Sequence, residues 1–286
     1  MLILALATTL FAQQQPVPAT SQAAGSAQQQ NPGTKTGQVK DAHQPKQGEP
    51  SLPYEDWRSV VFVTPKAGWV AGASSIFHTE DGGQTWQRQT TGLKMPLSSV
   101  AFVTPKSGWA VGGGAIVHTE DGGKTWETQT TLPKQFNAVA FTTPQTGVAV
   151  GWDGMIARTE DGGKHWKTQN VPQADAITGP IFYSVTFATP RLSWAVGTGG
   201  RILRTDDGGQ TWKAQNSNFD DMLSSVSFAT PKSGWAVGEE STILHTEDGG
   251  ETWKEQDSNT SQELKSVAFA TPESGWVVGT CGAILH

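Results

Sequence analysis

From Trp57 onward, apolar and polar residues alternate in short runs closed by Gly, Pro or Thr, and the same runs return at a nearly fixed interval. Such alternation over four to eight residues, with turn residues between the runs, is a strand signal and not a helix signal. The clearest marker is T-E-D-G-G-x-T-W, beginning at Thr79, Thr119, Thr159, Thr205 and Thr246, at intervals of 40, 40, 46 and 41; His165 replaces the Thr of its copy. Ahead of each marker stands a second block, such as Ser99-Val100-Ala101-Phe102-Val103-Thr104-Pro105 followed by Gly108-Trp109-Ala110-Val111-Gly112, and it recurs near Ser59, Ala138, Ser184, Ser225 and Ser266. Within one unit, SVAFVT, GWAVG, AIVHT and TWETQ read as strands a to d of an antiparallel meander. Four short strands per repeat of about 41 residues is the signature of a propeller blade.

The fold class is therefore all-β, a β-propeller of four-stranded antiparallel blades spanning 54–286. The expected blades are 57–95, 96–135, 136–178, 179–221, 222–262 and a partial 263–286. About six blades are present, and because the last stops where its marker should begin, the sequence predicts an open, truncated arc with an exposed edge at its C-terminal end. Residues 1–12 read as a signal peptide: Met1 to Phe11 is an apolar run too short to span a bilayer, and Ala12 is a plausible cleavage point. The run has no positive n-region, which fits a start set slightly too late. Residues 13–53 are rich in Gln, Pro, Ser and Gly and read as a disordered linker.

Composition narrows the function. The net charge of -6 supplies no basic face for nucleic acid. A single cysteine, Cys281, excludes an internal disulfide and any Cys-based zinc site. His78, His118 and His245 fall at equivalent places on different blades and so do not converge on one ion. The EDGG turns lack the ligand spacing of a calcium loop. No metal and no cofactor is expected.

The marker matches the Asp-box pattern S/T-x-D-x-G-x-T-W of BNR-type repeats. Its residues are Asp81, Gly83 and Trp86; Asp121, Gly123 and Trp126; Asp161, Gly163 and Trp166; Asp207, Gly209 and Trp212; and Asp248, Gly250 and Trp253. The carboxylate is expected to accept N–H bonds inside the c–d turn, the glycine to supply a positive φ, and the indole to fill the space between blades. A catalytic carboxylate is needed once, and these occur five times. The pairing of TP-x-x-GW-x-VG with HTEDGG-x-TW, as in Thr104 to Trp126, resembles the photosystem II stability/assembly factor family of Asp-box propellers over nearly all of 57–286. The resemblance implies a seven-bladed, non-enzymatic, exported propeller, here a truncated seven-bladed ring, that binds other proteins during complex assembly, in the thylakoid lumen of a phototroph and otherwise periplasmic or extracellular. A sialidase-like BNR glycosidase or lectin, with carbohydrate as ligand, stays open as the alternative. It would need an arginine cluster and a Tyr nucleophile, whereas Tyr183 sits at a position equivalent to Ser98 and is expected to pack, and Arg158 and Arg204 stand where other units carry His.

The units disagree in one place. In a meander the b–c and d–a loops share one face, and the a–b and c–d loops share the other. The a–b and c–d loops hardly vary. The b–c loops differ in every unit, and the residues that stretch one interval to 46 lie at 170–180, a d–a connection. Trp152, Asp153, Glu239, Glu240 and that loop are the expected contact face for a protein partner, because loops on a rigid scaffold carry specificity.

Overall fold

The computed structural model describes residues 52, 56–72, 75–92, 95–169, 171 and 179–286. The expected signal peptide, the linker apart from Leu52, Tyr54, and most of the 170–180 loop lie outside the described residues. The described chain forms six antiparallel sheets, five of four strands and one of three, each in sequence order. We number them blades 1 to 6. Their innermost strands are Trp57–Phe62, Ser99–Phe102, Phe136–Phe141, Phe182–Phe187, Leu223–Phe228 and Leu264–Thr271. No α-helix occurs among the described residues, only two short 3-10 turns, Trp152–Gly154 and Thr280–Gly282.

A lone four-stranded meander leaves both faces wet, and the packing shows how the repeat solves this. Each apolar cluster joins the front of one blade to the back of the next: Val61, Trp69, Ala71 and Ile76 of blade 1 meet Val100, Phe102, Ala110 and Val117 of blade 2. Blades 2 and 3 meet in the same way, as do blades 4 and 5. The indoles of Trp69, Trp109 and Trp194 are fully buried. At 150–250 Å² each, burial is worth roughly 4–6 kcal/mol of gross transfer free energy per ring. Around the axis, serine hydroxyls lace neighbouring inner strands: Ser59 Oγ accepts the Val100 N–H at 3.1 Å, Ser184 Oγ the Val226 N–H at 3.3 Å and Ser225 Oγ the Val267 N–H at 3.2 Å. In blade 3, where Ala138 has no hydroxyl to offer, Asn137 Nδ2 instead donates to the Phe182 carbonyl at 2.9 Å.

The exposed edge expected of blade 6 is present. Trp276, which occupies the position of the buried Trp109, is 50% exposed, and Ile284 is 54% exposed. Two strand boundaries differ from expectation. Strand a of blade 2 ends at Phe102, because Thr104 Oγ1 captures the N–H groups of Lys106 and Ser107 and bends the chain. Strand d begins at Glu127, since the Thr125 N–H and hydroxyl are already bound to Asp121.

Candidate functional site

The two faces of the arc are built on different principles. On the DGG face, Thr119 Oγ1 donates to Asp121 Oδ1 at 2.8 Å and accepts the Gly123 N–H at 2.8 Å, while Asp121 Oδ1 and Oδ2 accept the Thr125 N–H at 2.9 Å and hydroxyl at 2.6 Å. Asp81, Asp207 and Asp248 repeat these bonds with Thr85, Thr211 and Thr252. In blade 3, His165 takes the part of the Thr, its N–H and Nδ1 meeting Asp161 at 2.9 and 2.7 Å. Bonds from the Thr85 hydroxyl and N–H hold Asp81 at a pKa of about 2. Asp121 and Asp248 are held at about 2 by the same kind of bonds, and Asp161 chiefly by the His165 N–H. For Asp207, burial acts upward and the Thr211 bonds outweigh it.

The turns also join blades. In all five, both glycines adopt positive φ, for example 80° at Gly122 and 91° at Gly123, where only one was expected. The first glycine's carbonyl is thereby presented to the preceding blade. Trp69, Trp109 and Trp194 Nε1 donate to Gly122, Gly162 and Gly249 at 3.0, 3.1 and 3.1 Å. Gln89 and Gln129 of the outer strands donate to the first two of these carbonyls at 2.9 and 2.8 Å. Blade 3 carries Val148 in place of the tryptophan, and there Arg158 Nε reaches Gly208 O at 2.6 Å while its Nη2 pairs with Glu160 at 2.7 Å. The turn indoles stand edge-on to the phenylalanine of their own blade, Trp86 to Phe62, Trp126 to Phe102, Trp166 to Phe141 and Trp253 to Phe228, and Trp212 is buried beside Phe187.

On the opposite face the geometry repeats but the residues do not. The b–c loops are laced to the strand-a entries of their own blades: the N–H groups of Trp152, Thr198, Glu239 and Thr280 donate to Gln135, Ile181, Met222 and Glu263 carbonyls at 2.8–3.0 Å. Among the described residues, the non-glycine residues at positive φ all lie on this face, Asp153 at 54°, Glu240 at 50°, Ser241 at 57° and Cys281 at 53° in b–c loops, with Asn218 and Asn259 in d–a loops. Blades 2 and 4 fill the b–c positions with Gly113-Gly114 and Gly199-Gly200. An L side chain costs about 1–2 kcal/mol in that region. Trp152 is 44% exposed, and Asp153 pairs with Lys134 at 3.5 Å. Trp152 and Asp153 sit on blade 3, Glu239 and Glu240 on blade 5, so the fold brings them to one face but not into one cluster.

A second set on this face was not anticipated. The a–b register slips by one residue in blades 1, 3, 4, 5 and 6, leaving Arg58, Asn137, Tyr183, Ser224 and Lys265 as bulged residues without a ladder partner. These five, with Ser98 of blade 2, line an axial cavity of about 450 Å³. A bulge re-aims a side chain out of the sheet, and here it turns one residue in each of the five bulged blades toward the axis. Tyr183 thus lines the cavity, as does its equivalent Ser98, where the sequence pointed only to packing. Burial, and then the negative charge of Glu239, pushes its hydroxyl pKa up. Arg58 pairs with Asp56 at 3.6 Å and Lys265 with Glu263 at 2.6 Å. Ser224 Oγ is buried with no hydrogen-bond partner. Among the described residues no carboxylate lines the cavity. The signal was in the sequence: W-R-S-V, L-S-S-V, F-N-A-V, F-Y-S-V, L-S-S-V and L-K-S-V put two same-face apolar residues three apart, one more than a regular strand allows.

With this geometry in hand, the chain can be compared with known proteins. The family described as photosynthesis system II assembly factor YCF48 matches residues 51–136, 128–218, 173–254 and 210–286. No curated protein matches. Among solved structures, YCF48 from Cyanidioschyzon merolae is similar at 21% identity and a TM-score of 0.53, covering 82% of this chain and 96% of that one. A structure of YCF48 bound to D1 peptide aligns at 21% identity and a TM-score of 0.47, covering 82% of this chain and 98% of that one. The GH74 enzyme of Niastella koreensis is similar at 14% identity and a TM-score of 0.65, over 80% of this chain and 44% of the enzyme. Likeness at such identities speaks for the propeller fold alone. The family match does more, since its four stretches together run unbroken from residue 51 to residue 286: the chain belongs to the photosynthesis system II assembly factor YCF48 family.

Proposed function

We propose that the chain is a non-catalytic, exported propeller that binds a protein partner and acts in the assembly of a membrane complex, with the loop face and cavity mouth as its docking surface. One observation carries this reading. The cavity-lining position holds Arg, Ser, Asn, Tyr, Ser and Lys in blades 1 to 6, and the b–c loops vary likewise, on a scaffold whose other face repeats its residues almost unchanged. Specificity on a rigid scaffold is expressed in that way. Membership of an assembly-factor family supports the partner being a protein. Export rests on the apolar run Met1 to Phe11. A glycosidase needs two carboxylates flanking the scissile bond; the cavity offers none, which favours binding over hydrolysis.

The test is capture of a partner from membranes of the source organism by the tagged protein, compared with a Trp152→Ala, Glu239→Ala, Glu240→Ala variant. The variant is expected to unfold at or slightly above the wild-type midpoint and to retain less than a tenth of the captured protein. Equal capture by the two would overturn the assignment of this face. Turnover of glycoside reporters by the wild type would overturn the non-catalytic reading.

A further inference from the structure

The side chain that locks one blade to the next is itself clamped, and the clamp differs between junctions. In blade 1, the ring of His78 stacks on Trp69 at 4.5 Å and 12°, and Trp69 stacks on Phe102 of blade 2 at 3.7 Å and 9°. His118–Trp109–Phe141 repeats this between blades 2 and 3, and His245–Trp235–Phe269 between blades 5 and 6. At the two central junctions the histidine position holds Arg158 and Arg204. These permanent cations carry their own carboxylates: Arg158 pairs with Glu160 at 2.7 Å, and Arg204 with Asp206 at 2.9 Å and more loosely with Glu251 at 3.9 Å.

We propose that the histidine junctions form an acid-responsive device, in which protonation of His78, His118 and His245 loosens blades 1, 2 and 6 while the arginine junctions hold blades 3, 4 and 5 together. The imidazoles are half-buried on the indole, and none makes an ion pair as the arginines do among the described residues. Around His78 stand Gln87 across the strand, Glu80, and Lys124 from the next blade. Around His118 stand Glu120, Glu127 across the strand, and the Ser107 hydroxyl at 3.4 Å. Around His245 stand Glu247, Lys254 across the strand, Gln256 at 3.4 Å and the Ser233 hydroxyl at 3.4 Å. Burial outweighs the nearby carboxylates at all three and lowers each pKa below its ordinary value of 6.5. The native state then binds fewer protons than the unfolded chain, so the stability of the stacks is complete above pH 6.5 and falls as the pH drops through the unfolded value toward the folded ones. The indole face attracts an imidazolium as well, and the proposal requires that burial exceed this attraction.

The test compares unfolding at pH 7.5 and 5.5 for the wild type, for a His78→Gln, His118→Gln, His245→Gln variant, and for the matching triple arginine variant, which installs the residue blades 3 and 4 already use. The wild-type midpoint should fall by roughly 3–6 °C on acidification, and both variants should lose less than half as much. Amide exchange, corrected for intrinsic rate, should show protection falling in Gly68–Gly72, Gly108–Gly112 and Leu264–Thr271 of blades 1, 2 and 6 ahead of Ser193–Gly197 of blade 4. Should either triple variant fail to fold, the three single variants take its place, each removing about a third of the shift. A midpoint that rises on acidification, or a fall of equal size in the variants, would overturn the proposal.

Discussion

Set the two faces of the arc side by side. On one, five DGG turns repeat their Thr–Asp bonds at nearly identical lengths, 2.7–2.9 Å for the threonine hydroxyl to the carboxylate. On the other, five bulges repeat a backbone shape while carrying Arg58, Asn137, Tyr183, Ser224 and Lys265 at the cavity, where Ser98 of blade 2 joins them. The difference teaches how to divide a repeat protein. Where geometry and residue both recur, the residue serves the fold; where geometry recurs and the residue does not, the fold serves the residue. By that criterion the five aspartates belong to architecture although each is a carboxylate with a pKa near 2, the kind of perturbed group often associated with function.

Three substitutions sharpen the division. Trp109→Ala should have the largest effect, because it opens a cavity between blades 2 and 3 and removes the donor to Gly162 O; a loss of about 3–5 kcal/mol in denaturant unfolding is expected. A smaller change, near the surface level of 0.5 kcal/mol, would mean that the junctions do not carry the stability assigned to them. Arg158→Ala comes next. It removes the bond to Gly208 O at the one junction lacking a tryptophan, at a cost of roughly 1.5–3 kcal/mol. If Arg158 stands in for the missing indole, adding Val148→Trp and Arg158→His together should cost less than Arg158→Ala alone. The smallest effect has the opposite sign. Glu240→Gly relieves a side chain at positive φ and should stabilise by up to about 1 kcal/mol, while weakening partner capture. A stabilised variant with undiminished capture would place Glu240 among unconstrained loop residues and remove it from the docking surface.

Much of this was legible in the sequence. The marker and the GW block located every blade, because a repeat that cannot bury its own faces must stack, and stacking selects the same apolar residues each time. The loop face could also be placed, since meander connectivity alone sorts b–c and d–a loops from the others. Less visible was the tie between blades: Gln89 reads as an exposed strand residue, yet its amide reaches 33 residues along the chain to Gly122. The equivalence of Tyr183 with Ser98 is legible in the sequence, but not that both line the cavity, because at Tyr183 a bulge shifts the strand by one residue.

The sequence by itself determined the local order of the protein: strands by alternation, turns by the glycine pairs, and blade number by periodicity. These follow from short-range sterics and from the need to bury one residue in two. Only the tertiary structure decided which side chains converge. Arg158 and Gly208, 50 residues apart, become partners, and Arg58, Ser98, Asn137, Tyr183, Ser224 and Lys265 come to share one cavity, because blade packing brings together positions for which periodicity fixes equivalence but not contact.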